Sequence, residues 1–261
     1  MKLVTRGWFA SAVLALAIAG VAGAGVREEH VTGGVLDLAW QPGLLLPNGD
    51  PLPNVMHAAI LSAGDPAYAN PSGDHTVAVA TNSFAPDSGG VILTCTDPAG
   101  YSNYTWAGWM FTGDGNTRRG LVVRADAGNA FQSCYQFVIQ TGLFQINFRK
   151  LINQSPTTLG TWFADGSLLP IVTTNTWHHL KVEAIGNAFR CWWDNIELTA
   201  PPFVPGTPIL DASLPAGWVG AYNFRFDLGD IPVYFDDLIL DGIATPTQPM
   251  SWGRLKALYS K

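Results

Sequence analysis

Two stretches of this 261-residue chain alternate amides and a guanidinium with apolar side chains. In residues 143–150, Gln145, Asn147 and Arg149 alternate with Phe144, Ile146 and Phe148. In residues 135–140, Gln136 and Gln140 interleave with Tyr135, Phe137 and Ile139. Successive strand residues point to opposite faces, so if the apolar row is core the polar row lines the other face. Arg124 closes GLVVR, a further strand. Planar amides and guanidinium groups suit sugar hydroxyls and carboxylates, and an aromatic such as Trp162, expected on a loop, can stack on a sugar ring. The bland alternative is a polar face that only hydrates an antiparallel sheet.

A second candidate is Asp236. In VYFDDLIL, residues 233–240, alternation places Asp236 with Leu238 and Leu240, and the leucines must face the core. A carboxylate in that row needs a partner, because burying a lone charge is costly. Turn amides or an arginine would serve. Glycoside hydrolysis, by contrast, needs two carboxyl groups at a defined separation. Beyond residue 25 the only glutamates are Glu28, Glu29, Glu183 and Glu197, and Asp114 and Asp126 read as turn residues. His178 and His179 are adjacent and so point to opposite strand faces. A serine-hydrolase elbow, G-x-S-x-G, is absent. The short DGN at residues 114–116 is a turn before it is a cation loop.

These side chains need strands to position them. Residues 177–198, WHHLKVEAIGNAFRCWWDNIEL, read as a hairpin. Leu180, Val182 and Ala184 alternate with His179, Lys181 and Glu183, Gly186-Asn187 supplies the turn, and Phe189, Cys191 and Trp193 alternate on the return. Trp177, Leu180, Val182, Phe189 and Leu238 are expected to be structural. Further strands are expected at residues 35–40, 75–81, 91–96, 104–112, 120–125, 135–140, 143–150, 218–226 and 233–240, with a turn at Thr141-Gly142. Residues 41–74 read as loops around a short apolar piece, 55–61, and residues 157–172 as an irregular connection. No long helix is expected before residue 245. Residues 244–249 read as a linker, and Ser251 as the cap of a short terminal helix with Trp252, Leu255 and Tyr259 on one face. This segment would dock on the sandwich or serve as a sorting tag.

The hairpin and the closing F-D-D-hydrophobic strand resemble the concanavalin A-like lectin and glucanase superfamily, which includes laminin-G domains, in a secreted, bacterial-type version. The resemblance covers roughly residues 90–242 and implies an all-β, two-sheet antiparallel jelly-roll sandwich. It also implies a ligand on the concave sheet, where G-L-x-x-R beside Tyr/Gln strands is a familiar neighbourhood. Family 16 members carry catalytic E-x-D-x-x-E, which is absent here. In such jelly rolls an Asp placed like Asp236 ligates structural Ca2+ with a carboxylate and carbonyls near the domain's start. Asp37 or the loop around Asn48 and Asp50 would be the partner, though neither matches the pattern well.

The N-terminus bears on compartment. Lys2 and Arg6, an apolar run over residues 8–21 and Ala22-Gly23-Ala24 have the form of a secretory signal peptide, residues 1–24. The apolar run is short for a full membrane span. The sandwich would occupy residues 25–243 and the linker and tail 244–261. Charged residues are only 13 %, with 28 Gly, 18 Pro and 10 Trp, as many short strands joined by turns require. The net charge of −6, or −8 without Lys2 and Arg6, argues against nucleic acid or an anionic membrane as partner. Cys95, Cys134 and Cys191 allow one disulfide and one thiol, or free buried thiols, and no C-x-x-C supports zinc. The expectation is a secreted or cell-surface, non-catalytic recognition module for a glycan or extracellular polymer. A glycoside hydrolase-like enzyme and a structural surface-displayed protein are the alternatives.

Overall fold

In the computed structural model, residues 26–43, 54–82, 88–94, 100–111, 113, 117–129, 131–164, 174–198, 206–225 and 232–242 are described. The signal segment, the tail, Cys95, Asn48, Asp50 and the DGN turn lie outside them. The strands are β1 (Val26–Glu29), β2 (Gln41–Gly43), β3 (Asn54–Ile60), β4 (Thr76–Asn82), β5 (Ser88–Thr94), β6 (Tyr104–Phe111), β7 (Thr117–Ala125) and β8 (Cys134–Gln140). They continue with β9 (Gln145–Ile152), β10 (Ser155–Phe163), β11 (Trp177–Ile185), β12 (Ala188–Trp193), β13 (Ile196–Leu198), β14 (Ile209–Leu210), β15 (Trp218–Arg225) and β16 (Val233–Gly242). All pairings are antiparallel, in one sheet of nine strands and one of seven. The first runs β13-β12-β11-β6-β16-β4-β3, with β1 on β16 and β14 on β12; the second runs β10-β9-β8-β7-β15-β5-β2. The chain is an all-β sandwich, as its period-two patterning requires.

The expected hairpin is β11–β12. Ile185 pairs with Ala188 across Gly186-Asn187, and Gly186 has φ 55. Tight turns of left-handed residues also close β9–β10 at Asn153-Gln154 and β12–β13 at Asp194-Asn195. Leu180, Val182, Phe189 and Leu238 are 0 % exposed, packed with Trp106, Phe137, Phe148 and Phe235 between the sheets. Polar bonds tie the layers together: Trp106 Nε1 donates to the Gly220 carbonyl at 2.9 Å, and Asn223 Nδ2 to Ala80 at 3.1 Å. Trp177 packs instead on the outer side of the nine-stranded sheet, beside Phe111, its Nε1 donating to Ala67 O at 3.2 Å.

Several expected elements differ. Residues 35–40 do not form a strand. Their amides wrap the buried Glu29 carboxylate, which accepts from Val31 N, Asp37 N, Leu38 N and Trp40 Nε1 at 2.8–3.1 Å. The carboxylate takes the Asp37 and Leu38 amides that strand pairing would otherwise use. The apolar piece at 55–61 is β3, and much of the expected irregular stretch from 157 is β10. Phe144, expected in the core, is 43 % exposed because its φ of 51 ends the alternation one residue early. Cys134 and Cys191 are both free and buried, Cys191 within the core and Cys134 on the far side of the seven-stranded sheet.

Candidate binding face

Register determines which side chains share the outer face of the seven-stranded sheet. Gln136 pairs with Arg149, Val138 with Asn147 and Gln140 with Gln145 on β8–β9. Paired residues stand on the same face, and the intervening Tyr135, Phe137, Ile139, Ile146 and Phe148 lie in the core. The five expected residues Gln136, Gln140, Gln145, Asn147 and Arg149 are therefore brought together. Arg149 Nε donates to Gln136 Oε1 at 2.7 Å and its Nη2 to the Tyr222 hydroxyl at 3.1 Å. Thr161 Oγ1 donates to Asn147 Oδ1 at 3.0 Å. Burial is graded along the strands: Gln136, Asn147 and Arg149 are buried, whereas Gln140 and Gln145 are half-buried and reach solvent.

The open end extends over five strands. Phe163 pairs with Gln145, Gln145 with Gln140, Gln140 with Arg118 and Arg118 with Phe224, giving one row across β10-β9-β8-β7-β15. Arg118 Nη2 donates to Gln140 Oε1 at 2.8 Å, and its guanidinium lies 5.7 Å from the Phe224 ring centroid. Phe163 is 51 % exposed. At ~4.8 Å per strand the row spans roughly 19 Å. Arg118, Tyr222, Phe224 and Phe163 had no sequence signal. On β15 the aromatics Tyr222 and Phe224 face out while Asn223 faces in, the reverse of the usual pattern.

Two expected site residues lie elsewhere. Arg124 has φ 51 at an irregularity in the β15–β7 register, which turns it away from the outer face. It is fully buried, donating to the carbonyls of Leu214, Ser102 and Gly186 at 3.0, 2.8 and 2.5 Å and stacking on Phe189. Trp162 stands in β10, paired with Ile146, and is 6 % exposed in the core rather than on a loop.

Asp236 is also displaced from its expected face. The β16–β6 register shifts between Asp236 and Ile239, with Asp237 at φ 48. Val233, Phe235, Leu238 and Leu240 are core, and the extra residue leaves Asp236 on the opposite side, 3 % exposed. Gly108 permits this, since a Cβ there would lie 2.6 Å from Leu238. Asp236 Oδ2 accepts from Ser72 N at 2.9 Å, and burial raises its pKa. The carboxylate accepts from Ser72 and also feels the charges of Asp237 and Asp74, which raise its pKa further. Asp37 is engaged by the 30–32 turn through His30 N and Thr32, and no group of three or more His, Cys, Asp or Glu suited to a metal occurs among the described residues. Asp237 reaches His30 Nδ1 at 2.7 Å, while His30 Nε2 lies 3.0 Å from Glu28.

No family model matches the sequence, and no curated protein matches it. Solved structures do match. A beta-glucanase of Bacillus licheniformis aligns at 10 % identity over 84 % of this chain and 99 % of its own, with TM-score 0.50. The carbohydrate binding module CBM66 of Bacillus subtilis aligns at 19 % identity over 61 % and 84 %, with TM-score 0.47. A Bacillus subtilis protein with a galectin-like fold aligns at 8 % over 78 % and 89 %, with TM-score 0.46. At such identities the likeness is one of fold, and the fold is a concanavalin A-like jelly roll. No helix among the described residues is long and apolar enough to cross a membrane.

Proposed function

We propose that this chain is an exported, non-catalytic recognition module that binds a glycan or cell-surface polymer on the outer face of its seven-stranded sheet. The observation that carries the reading is the row Phe163, Gln145, Gln140, Arg118 and Phe224. Amides and a guanidinium supply paired hydrogen bonds to hydroxyls, and flanking aromatic rings supply apolar faces for sugar C–H groups. Export rests on the signal-like residues 1–24, and placement in a secreted or cell-surface setting follows from it.

The enzymatic alternative is weaker on chemistry. Hydrolysis of a glycosidic bond by paired carboxyls needs both beside the bond. None of the seven strands that make this sheet contains an Asp or Glu.

A glycan array probed with the full chain tests the reading. Retention of at least one glycan class, weakened in a Gln140→Ala/Gln145→Ala variant, is the expected result. Silence across the array at high protein concentration would favour a structural surface protein. Release of reducing sugar from mixed polysaccharides, lost in Asp126→Asn, would replace the module with an enzyme.

A further inference from the structure

The two sheets differ in charge. The strands of the seven-stranded sheet hold no acidic residue but six basic ones, Arg118, Arg119, Arg124, Arg149, Lys150 and Arg225. The strands of the other sheet hold acidic residues on β1, β11, β13 and β16. In a chain of net charge −6 this segregation runs against the composition.

Arg124 is turned away from this face, and Lys150 has a counter-charge. Arg124 donates to three carbonyls, and Lys150 pairs with Asp211 at 2.7 Å. Arg149 differs. It is 8 % exposed, its bonds go to the neutral Gln136 and Tyr222, and none of the ion pairs among the described residues includes it. A buried cation without a counter-charge is costly. A second cation, Arg118, lies on the same face, and burial together with Arg149 pushes its pKa down. An anion placed on this face would offset both costs at once.

We infer that the ligand of this face is an anionic glycan, its acidic groups received by Arg118 and Arg149 and its sugar rings by the row from Phe163 to Phe224. The inference rests on the glycan reading above and narrows its ligand class. The guanidinium fork matches carboxylate and sulfate alike. Arg118, Gln140 and Gln145 are partly open to solvent, so the anion enters from that end. The row crosses the strands, so the chain of sugars runs across them and not along one.

The test is calorimetric titration of the full chain with four probes: polygalacturonate, the same polymer with its carboxyl groups reduced to alcohols, dextran sulfate, and mixed-linkage β-glucan. Polygalacturonate or dextran sulfate is expected to bind, and their relative affinities separate carboxylate from sulfate as the source of charge. Reduction of the carboxyl groups should weaken binding about 10- to 100-fold if the carboxylate is the group received. Arg118→Gln, at a half-buried position, should weaken the acidic probe by a similar factor and leave the melting temperature near the parent's. Arg149→Lys keeps the charge and loses the fork, so partial retention is expected. Neutral probes binding as tightly as acidic ones, with Arg118→Gln unaffected, would overturn the anionic assignment while leaving the glycan reading standing. Binding of none of the four, nor of any array glycan, would overturn both.

Discussion

Arg149 and Tyr222 meet on the outer face of the seven-stranded sheet, with the guanidinium 5.6 Å from the ring centroid. They belong to β9 and β15, with β8 and β7 between them. The guanidinium reaches the phenol past Gln136 of β8 and Val122 of β7. Gly120 of β7 pairs with Tyr222, so no side chain of β7 stands beside the phenol at that position.

Gly120 also has φ 154, and a Cβ there would lie 2.1 Å from the Phe137 carbonyl oxygen. Gly120→Ala must therefore push β7 away from β8. Strain of this kind costs about 1–3 kcal/mol, and urea denaturation should show a loss at least that large. A variant as stable as the parent would contradict the close approach.

Arg124 should behave as a structural residue. Arg124→Ala leaves the Leu214, Ser102 and Gly186 carbonyls without their donor. Each unsatisfied buried acceptor costs about 1–3 kcal/mol. Large destabilisation is expected, with glycan affinity per folded molecule unchanged. Loss of affinity without loss of stability would return Arg124 to the binding face.

His30 links β1 to β16. Its pKa is raised, first by the hydrogen bond to Glu28, which outweighs desolvation, and further by Asp237. Asp37 also lies close enough to feel its charge. A raised histidine contributes stability that is complete below the unfolded value of 6.5 and is lost as pH rises through the folded value. Melting temperature should fall modestly from about pH 6 to about pH 8, and His30→Gln should flatten that slope. An identical slope in the variant would contradict the assignment.

Asp236 has the opposite chemistry and the same sign of slope. Burial raises its pKa, so the native state holds its proton more tightly than the unfolded chain. Stability should therefore fall as pH rises from 3.8 through the folded value. Asp236→Asn, whose amide oxygen can still accept from Ser72, should remove this component and leave neutral-pH stability at or above the parent's. Calcium should shift neither protein. A calcium-dependent rise in the parent's melting temperature, abolished in Asp236→Asn, would restore the metal site.

The architecture was legible because period-two alternation is strong: burial follows it without interruption in β11 and β12, and in β8 and β9 the core takes every second residue. The polar row on β8 and β9 was legible for the same reason. Arg124 and Asp236 were misplaced for one physical reason. Arg124 and Asp237 adopt left-handed backbone at irregularities in register, and one extra residue exchanges the two faces beyond it. Nothing in GLVVR or FDDL announces a bulge. Trp162 was misread because β10 opens with Ser-Pro-Thr-Thr, a turn-like composition that forms an exposed edge strand. Tyr222 and Phe224 were missed because outward aromatics around an inward asparagine invert the expected pattern.

The most direct test of the proposed binding face is hydrogen–deuterium exchange of the full chain with and without a saturating polysaccharide that it retains. Protection should appear in β7, β8, β9 and β15, with β11 and β12 of the other sheet unchanged. Protection confined to the nine-stranded sheet, or no change at saturation, would contradict the assignment of the ligand to this face.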